Sequence, residues 1–532
     1  MPKTILATLI AAVLATSAAS APAHAVSPRV LRVRALGEPQ SLDWTRASTW
    51  VEGFIVRNLM EGLVAINNKL EPVPQLAASW AASPDNRVYT FHLRRGVKWS
   101  DGVPLKAQHF VDSWKRLLAP ETAAKYASFL FDVDGAEPFH KGTLKDFSKV
   151  GVKALDDLTL EVRLRAAISY WYWIPSFYAT YPIRADLIDA EGQDWTKAGS
   201  MVTIGPFTLA AHEPQRSIRL ERNQNYYGHT GNIDTIEVAL VADDSMALKM
   251  YEDGRIDFTP KLASLERNRL KTRKDFRTWP DMRVVHLRMN TAKGPMSNAY
   301  LRRAVAMAVD RSKLIKLFEG LYQPATSFVP PGMAAFTTHA GLPFNVEAAK
   351  AELKKSGLEV ATLPALDLLS PSFDDQVILA QFIQDELKRN LGLNVRIHIL
   401  EPKRYYAPGL VHTDYAMQIN FWGADFPDPD NFFSVFLTNS GLNRYGWSNP
   451  HYDELVTGAR SLSKRMEREQ SYFTAQKILL EDGVATVPLY YGRITGLIRQ
   501  NVRGFDPGPL DWWDFKDLSV QASGPTTSTG RQ

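Results

Sequence analysis

The chain reads as an exported α/β protein built from at least two lobes, and three observations predict this. Its 532 residues exceed what one hydrophobic core organises, and 45% of them are hydrophobic and 11% aromatic, enough to bury a large interior. Strand-like and helix-like runs alternate along the body instead of segregating. The opening MPKTILATLIAAVLATSAASAPAHA has one early cation (Lys3), an apolar stretch from Ile5 to Leu14 and the small-x-small ending Ala23-His24-Ala25, which predicts a secretory signal over residues 1–25. That apolar stretch is shorter than the roughly 20 residues a membrane span needs.

In chain order, strands are predicted at Val30–Val33, Tyr89–Leu93, Leu158–Leu164, Thr235–Leu240, Val284–Met289 and Val395–Ile399, where β-branched and aromatic residues cluster. Helices are predicted at Asn298–Val309, with Leu301, Val305, Ala308 and Val309 on one face, and at Ala380–Leu391, with Phe382, Ile383, Leu387 and Leu391 on one face. The end, ASGPTTSTGRQ from Ala522, has the small polar composition of a disordered tail.

Composition excludes several classes. Without cysteine there is no disulfide, no thiol nucleophile and no acylated-cysteine lipid anchor. Removing Lys3 with the signal leaves 61 Lys plus Arg against 57 Asp plus Glu, a net of +4, too weak for a nucleic-acid footprint. The eleven histidines are scattered and form no HExxH, so no metal is expected, and there is no GxSxG, GxxxxGK or GxGxxG to support catalysis or a cofactor.

The segment YAMQINFW carries the most information. Tyr415, Met417, Ile419 and Phe421 alternate with Ala416, Gln418, Asn420 and Trp422, so one face of a strand meets a core and the other a polar cavity. Gly423 removes a side chain, the strand ends at Ala424, and Asp425 is left at its carboxyl end, where open α/β sheets place ligands. Asp428 and Asp430 have a plainer reading as caps of the helix begun by Pro429. The Asp101-Gly102 of VKWSDGVP, GPF at Gly205–Phe207 and NYYG at Asn225–Gly228 read as turn and packing elements.

The order of EPQSLDW (from Glu38), EGLV (from Glu61), FHLRRGVKWSDGVPLKAQHF (from Phe91), GPF, LRRAVAMAVDR (from Leu301) and WGADFPDPDNFF (from Trp422) resembles the peptide-binding proteins of bacterial ABC importers, the family 5 extracellular solute-binding proteins, from about Leu31 to about Asp517. The resemblance implies a two-lobe periplasmic binding protein fold of type II, large cluster. Residues 26–60, 185–286 and 490–521 would form the first lobe, 61–184 an extra domain inserted in it, 287–489 the second lobe and 522–532 the tail. It further implies a soluble periplasmic monomer that encloses a short peptide and delivers it to a membrane permease, without catalysis or cofactor. By the same resemblance Asp425 binds the peptide's ammonium, and the backbone of Trp422, Gly423 and Ala424 pairs with the peptide as an added strand. Tyr126 lines the amino-terminal end, and Ser48, Thr49 and Trp50 lie on the peptide's other side. Trp50 stands where such binders often have a small apolar residue, and Ile419 where the oligopeptide binder has an arginine. That leaves the carboxylate end without an assigned partner. The alternatives are a family member for another solute (an oligosaccharide, an opine-like compound or a metal chelate), a secreted hydrolase working through Asp425 and Asp428, and a chaperone-like periplasmic protein.

Overall fold

The computed structural model describes residues 29–407 and 410–521. The expected signal peptide and the tail from Ala522 lie outside the described residues. The strands of the two larger sheets, apart from a two-residue strand at Gln323–Pro324, are β1 (Val30–Ala35), β2 (Ala77–Ala82), β3 (Val88–Leu93), β4 (Val152–Asp156), β5 (Thr159–Arg163), β6 (Phe207–Glu213), β7 (Ser217–Arg222), β8 (Thr235–Leu240), β9 (Phe258–Pro260), β10 (Phe276–Met289), β11 (Leu366–Pro371), β12 (Val395–Leu400), β13 (Met417–Gly423) and β14 (Thr486–Ile498). Ten of them form one mixed sheet in the order β12-β11-β13-β10-β14-β9-β1-β8-β7-β6, and β2-β3-β5-β4 form a separate antiparallel sheet.

The predicted strands all form, and the helices occupy Ala299–Ala308 and Asp374–Leu391, the second starting six residues earlier than its apolar stripe. Two strands were underestimated. β10 begins eight residues before the predicted Val284, and β14 was not anticipated because Pro488, Gly492 and Gly496 interrupt it. Proline removes a ladder donor, and the sheet accommodates Pro280 and Pro488 next to register shifts, between Pro280 and Val284 and between Val285 and His286.

These two long strands pair antiparallel and run from one hydrophobic cluster to the next. One cluster gathers Val33 and Ile236 of the large sheet, Phe91 and Leu160 of the four-stranded sheet, and Trp513 and Phe515 near the carboxyl end. Thus segment 61–184 has its own sheet while its buried side chains are continuous with those of β1 and β8. A second cluster gathers Leu287, Val305, Ile383, Met417 and Ile419, and a third Phe328, Phe432, Phe433 and Tyr472.

The quoted motifs serve this architecture. Glu61 is buried and accepts a 2.6 Å hydrogen bond from each of Tyr226 and Tyr227, joining EGLV to NYYG. Arg302 and Arg311 of LRRAVAMAVDR donate to the carbonyls of Gly483 and Pro488, and Asp101 pairs with Arg184 at 2.8 Å. A Cβ on Gly62 would meet the Pro175 carbonyl oxygen at 2.5 Å, and one on Gly205 the Leu59 and Met60 backbone at 2.7 Å. Gly62→Ala is therefore expected to cost about 1–3 kcal/mol through overpacking. A fall in the urea midpoint checks this, and an unchanged midpoint refutes it.

Candidate functional site

β13 pairs with β10 along its length, from Met417 opposite Met289 to Gly423 opposite Arg283. On its other edge β11 meets it only at Met417 and Gln418. The Ala424 N–H donates to the Met282 carbonyl at 2.9 Å, so by alternation Gly423 and Asp425 turn their amides away from β10. The Phe421 N–H is taken by the Asn420 side chain (2.8 Å) and that of Asp425 by Asn431 Oδ1 (3.2 Å). Between them the Gly423 edge has no strand beside it among the described residues.

This edge borders a cavity of about 770 Å³ between the clusters. Gln418, Asn420, Trp422, Gly423, Ala424 and Asp425 line it, and Met417 and Ile419 are fully buried in the second cluster, but Phe421, expected on the core face with them, is half-buried and lines the cavity as well, so the two faces that alternation predicts hold from Met417 to Asn420 and are lost where the strand end opens on the cavity. The Trp422 indole donates to the Asn431 oxygen that also holds the Asp425 amide, locking the strand's end. A Cβ on Gly423 would make only ordinary contacts, Arg283 Nε at 3.7 Å being nearest, so this glycine answers to no crowding within the protein.

Asp425 is half-buried and makes no ion pair among the described residues. Burial pushes its carboxyl up to about 6, against the opposing influence of Asn431 and Arg57. Arg57 was missed in the sequence: it stands seven residues after Trp50, hence on the same stripe of helix α1 (Trp50–Leu59). Its guanidinium lies over Trp512 (4.2 Å) and Tyr178 (5.1 Å), its Nε is unpartnered, and burial lowers its pKa. A lone arginine in the apolar run VEGFIVRNL was the available signal.

Tyr126 also reaches the cavity, packed edge-on to Phe177 (4.7 Å), and burial together with the Asp425 charge raises its pKa. Phe426 stacks on Tyr170 at 5.2 Å, so the chain just past Asp425 is anchored in the first cluster. Thr49 and Trp50 line the cavity and Ser48 does not. Thr49 caps α1, and the buried Glu52 accepts the amides of Ser48 (2.5 Å) and Thr49 (2.8 Å), together with those of Gln40 and Ser41. These two amides are thus committed to the fold. Trp50 donates its indole N–H to the Asp511 carbonyl and opens on a second chamber of about 360 Å³.

The capping expectation for Asp428 and Asp430 needs correction. Asp428 accepts the Asp430 amide, but both its oxygens also take hydrogen bonds from Arg468 (2.6 and 2.8 Å), and Asp430 is paired with Arg460 at 2.7 Å. Arginines 30 and 40 residues away in sequence supply the partners. With Asp428 occupied, the Asp425–Asp428 pair required by the hydrolase reading is not assembled. No cluster of His, Asp and Glu able to hold a metal occurs among the described residues, and no helix there is long and apolar enough to cross a membrane.

The family model "Bacterial extracellular solute-binding proteins, family 5 Middle" matches residues 71–444. The chain belongs to this family. It is 32% identical over 492 residues to the oligopeptide-binding protein OppA of Bacillus subtilis, covering 89% of each protein. It is 27% identical over 522 residues to the probable deoxycholate-binding periplasmic protein YgiS of Escherichia coli, covering 95% of this chain and 96% of that protein. The crystal structure of Haemophilus influenzae OppA in complex with RPPGFSPFR superposes with a TM-score of 0.79 at 25% identity, over 93% of this chain and 99% of that one. The two-lobe binding-protein architecture of these family 5 relatives is the architecture of this chain.

In this solute-binding protein the Asp425 pKa makes a stability prediction. A carboxylate raised from 3.8 to about 6 binds more protons folded than unfolded, so its contribution to stability falls as pH rises from about 4 to 6 and stays unfavourable above. Asp425→Asn should therefore stabilise the unliganded protein by about 1–3 kcal/mol at pH 7.5 and by little at pH 4. Urea midpoints at the two pH values measure it, and a destabilised variant at pH 7.5 would refute the assignment.

Proposed function

We propose that this protein captures short peptides in the periplasm by their backbone and free amino end, and passes them as a monomer to an ABC permease without chemical change. The observation that supports the reading best is Asp425, a half-buried carboxylate without an ion pair among the described residues, at the end of an open strand edge. The open Gly423 edge offers backbone pairing that is indifferent to side chains, and the charge sets the register. Trp422, Ala424 and Tyr126 would wall the amino-terminal end, and Thr49 and Trp50, with Ser48 behind them, the opposite side. The lobes, drawn as 26–60 with 185–286 and 490–521 against 287–489, with 61–184 attached to the first, would close about β10 and β14.

Truncating one side of a buried charge pair costs on the order of 2–5 kcal/mol, so Asp425→Ala should weaken peptide binding roughly thirty-fold or more. Acetylating the peptide's amino end should cost a similar amount in the wild type and much less in Asp425→Ala, because both changes delete one interaction. Protons compete with the ammonium for Asp425, so affinity should fall as pH drops below about 6, for free but not acetylated peptides. Calorimetry reads all three. Equal affinity for free and acetylated peptides, or tighter binding of an amine-free solute such as deoxycholate, overturns the reading.

Gly423→Ala should leave the urea midpoint within about 1 kcal/mol of wild type, since its Cβ has room, yet reduce peptide affinity at least tenfold by holding the ligand backbone off the edge. Undiminished affinity would place the ligand elsewhere.

A further inference from the structure

The second chamber is lined by an ion pair between segments that the lobe division proposed above puts on opposite sides of the cleft. Arg267 lies on helix α2 (Ser264–Leu270), whose Leu270 packs with Leu248, Tyr251 and Leu262 in a fourth hydrophobic cluster. Asp375 lies in the first turn of helix α3 (Asp374–Leu391), which Leu379, Ile383 and Leu387 seat in the second cluster. The guanidinium donates to both carboxylate oxygens, at 2.5 and 3.0 Å, and the Tyr322 hydroxyl donates to the same carboxylate at 2.5 Å. Tyr322 stacks on Tyr490 at 4.5 Å within the second cluster, so the acid is held in place from its own side. The paired side chains are 13% and 14% exposed, which shields them from much of the screening that weakens surface pairs.

Lys271 follows one turn later, its backbone N–H donating to the Arg267 carbonyl, so both cations leave the same face of α2. Its ammonium pairs with Glu319, which belongs to the second cluster's side through the neighbouring Phe318. Glu319 stands in the left-handed region (φ +50°), which a non-glycine residue occupies at a cost, although a glycine is the next residue. Strain of this kind persists where a side chain is needed at that place. Arg269, two residues after Arg267 and hence on another face of α2, pairs instead with Glu266 and Glu252 of its own lobe. One face of the helix thus reaches across to two acids, 108 and 48 residues away, while another stays within its lobe.

We infer that Arg267 and Lys271 form an electrostatic clasp that holds the two lobes closed whatever the cleft contains. Opening the lobes about β10 and β14 draws α2 away from α3 and from Glu319, so both pairs exist only in the closed form. A ligand that binds the closed form gains apparent affinity in proportion to the closed fraction. The clasp therefore raises affinity for every ligand alike and selects none of them. The inference rests on the lobe closure proposed above and is independent of the ligand being a peptide.

The chain has no cysteine, so spin labels at Met246→Cys in the first lobe and Tyr300→Cys in the second, both exposed, report the interlobe distance without any ligand. The labelled protein should show a short-distance population. Asp375→Asn should lower its ratio to the longer one about ten-fold or more. Lys271→Gln, whose pair is exposed, should lower it at most about five-fold, and so should about 1 M KCl. Lys271→Glu should open the lobes further, and adding Glu319→Lys to it should close them again, which a local packing effect at residue 271 would not do. That exchange, on exposed side chains, decides the matter should Asp375→Asn fail to fold. In calorimetry the variants should lose the same factor of affinity for pentaalanine and for N-acetyl-pentaalanine. Absence of the short-distance population, its persistence in both Asp375→Asn and Lys271→Glu, or a loss confined to one of the two peptides overturns this inference and leaves peptide capture standing. Failure of pentaalanine to bind overturns the peptide reading, and the ligand-free distances then decide the clasp by themselves.

Discussion

The antiparallel pair of β10 and β14 is the constraint on which the rest depends. Both strands pass from the first hydrophobic cluster to the second and third, so the geometry of their pairing sets where the cleft lies. The register breaks between Pro280 and Val284, beside Gly492, where an added Cβ would meet Asp281 Oδ2 at 2.9 Å and Arg283 Cβ at 3.1 Å. A bulge bends its strand and re-aims side chains. Here it turns Asp281 and Arg283 onto the walls of both chambers, so the element joining the cores also forms the cleft floor. β13 inherits its position by pairing with the far half of β10, and Asp425 follows from β13.

Around that floor the cleft holds charges that the fold leaves partly uncompensated. Asp425 at one end and Arg288 at the other are each shifted by burial toward neutrality. Their neighbours Asp428 and Asp430 are paired with Arg468 and Arg460. Buried charges are ordinarily paired, so these two, without an ion pair among the described residues, are where the fold leaves charge open at a cost in stability, as the proposed peptide capture by Asp425 requires. Arg57, held against aromatic rings with no ion pair among the described residues, tempers the Asp425 charge across the cleft without neutralising it.

The motifs that carry the family resemblance mostly do not touch this cleft. Glu61 with Tyr226 and Tyr227, the crowded Gly62 and Gly205, and the carbonyl-bound Arg302 and Arg311 hold segments of distant sequence together. They specify the scaffold. Family membership therefore settles the architecture more firmly than the solute, which accords with relatives named for both oligopeptide and deoxycholate binding.

The sequence by itself determined the α/β class, the strands with clear β-branched or alternating patterns, and the two faces of β13 as far as Asn420, because side-chain period and turn chemistry are local; Phe421, placed by alternation on the core face, lines the cavity instead. It also singled out Asp425, whose position after a strand end and a glycine is visible without a partner. It did not reveal β14, whose Pro488 and Gly492 look like breaks until the bulged register is seen. Nor did it reveal that Asp428 and Asp430 face Arg468 and Arg460, that Glu52 consumes the amides of Ser48 and Thr49, or that Arg57 and Arg288 reach the same cavity as Asp425. Arg57 and Asp425 are separated by most of the chain. Whether a charge is compensated depends on distances through space, and those exist only once the sheet has brought its strands together.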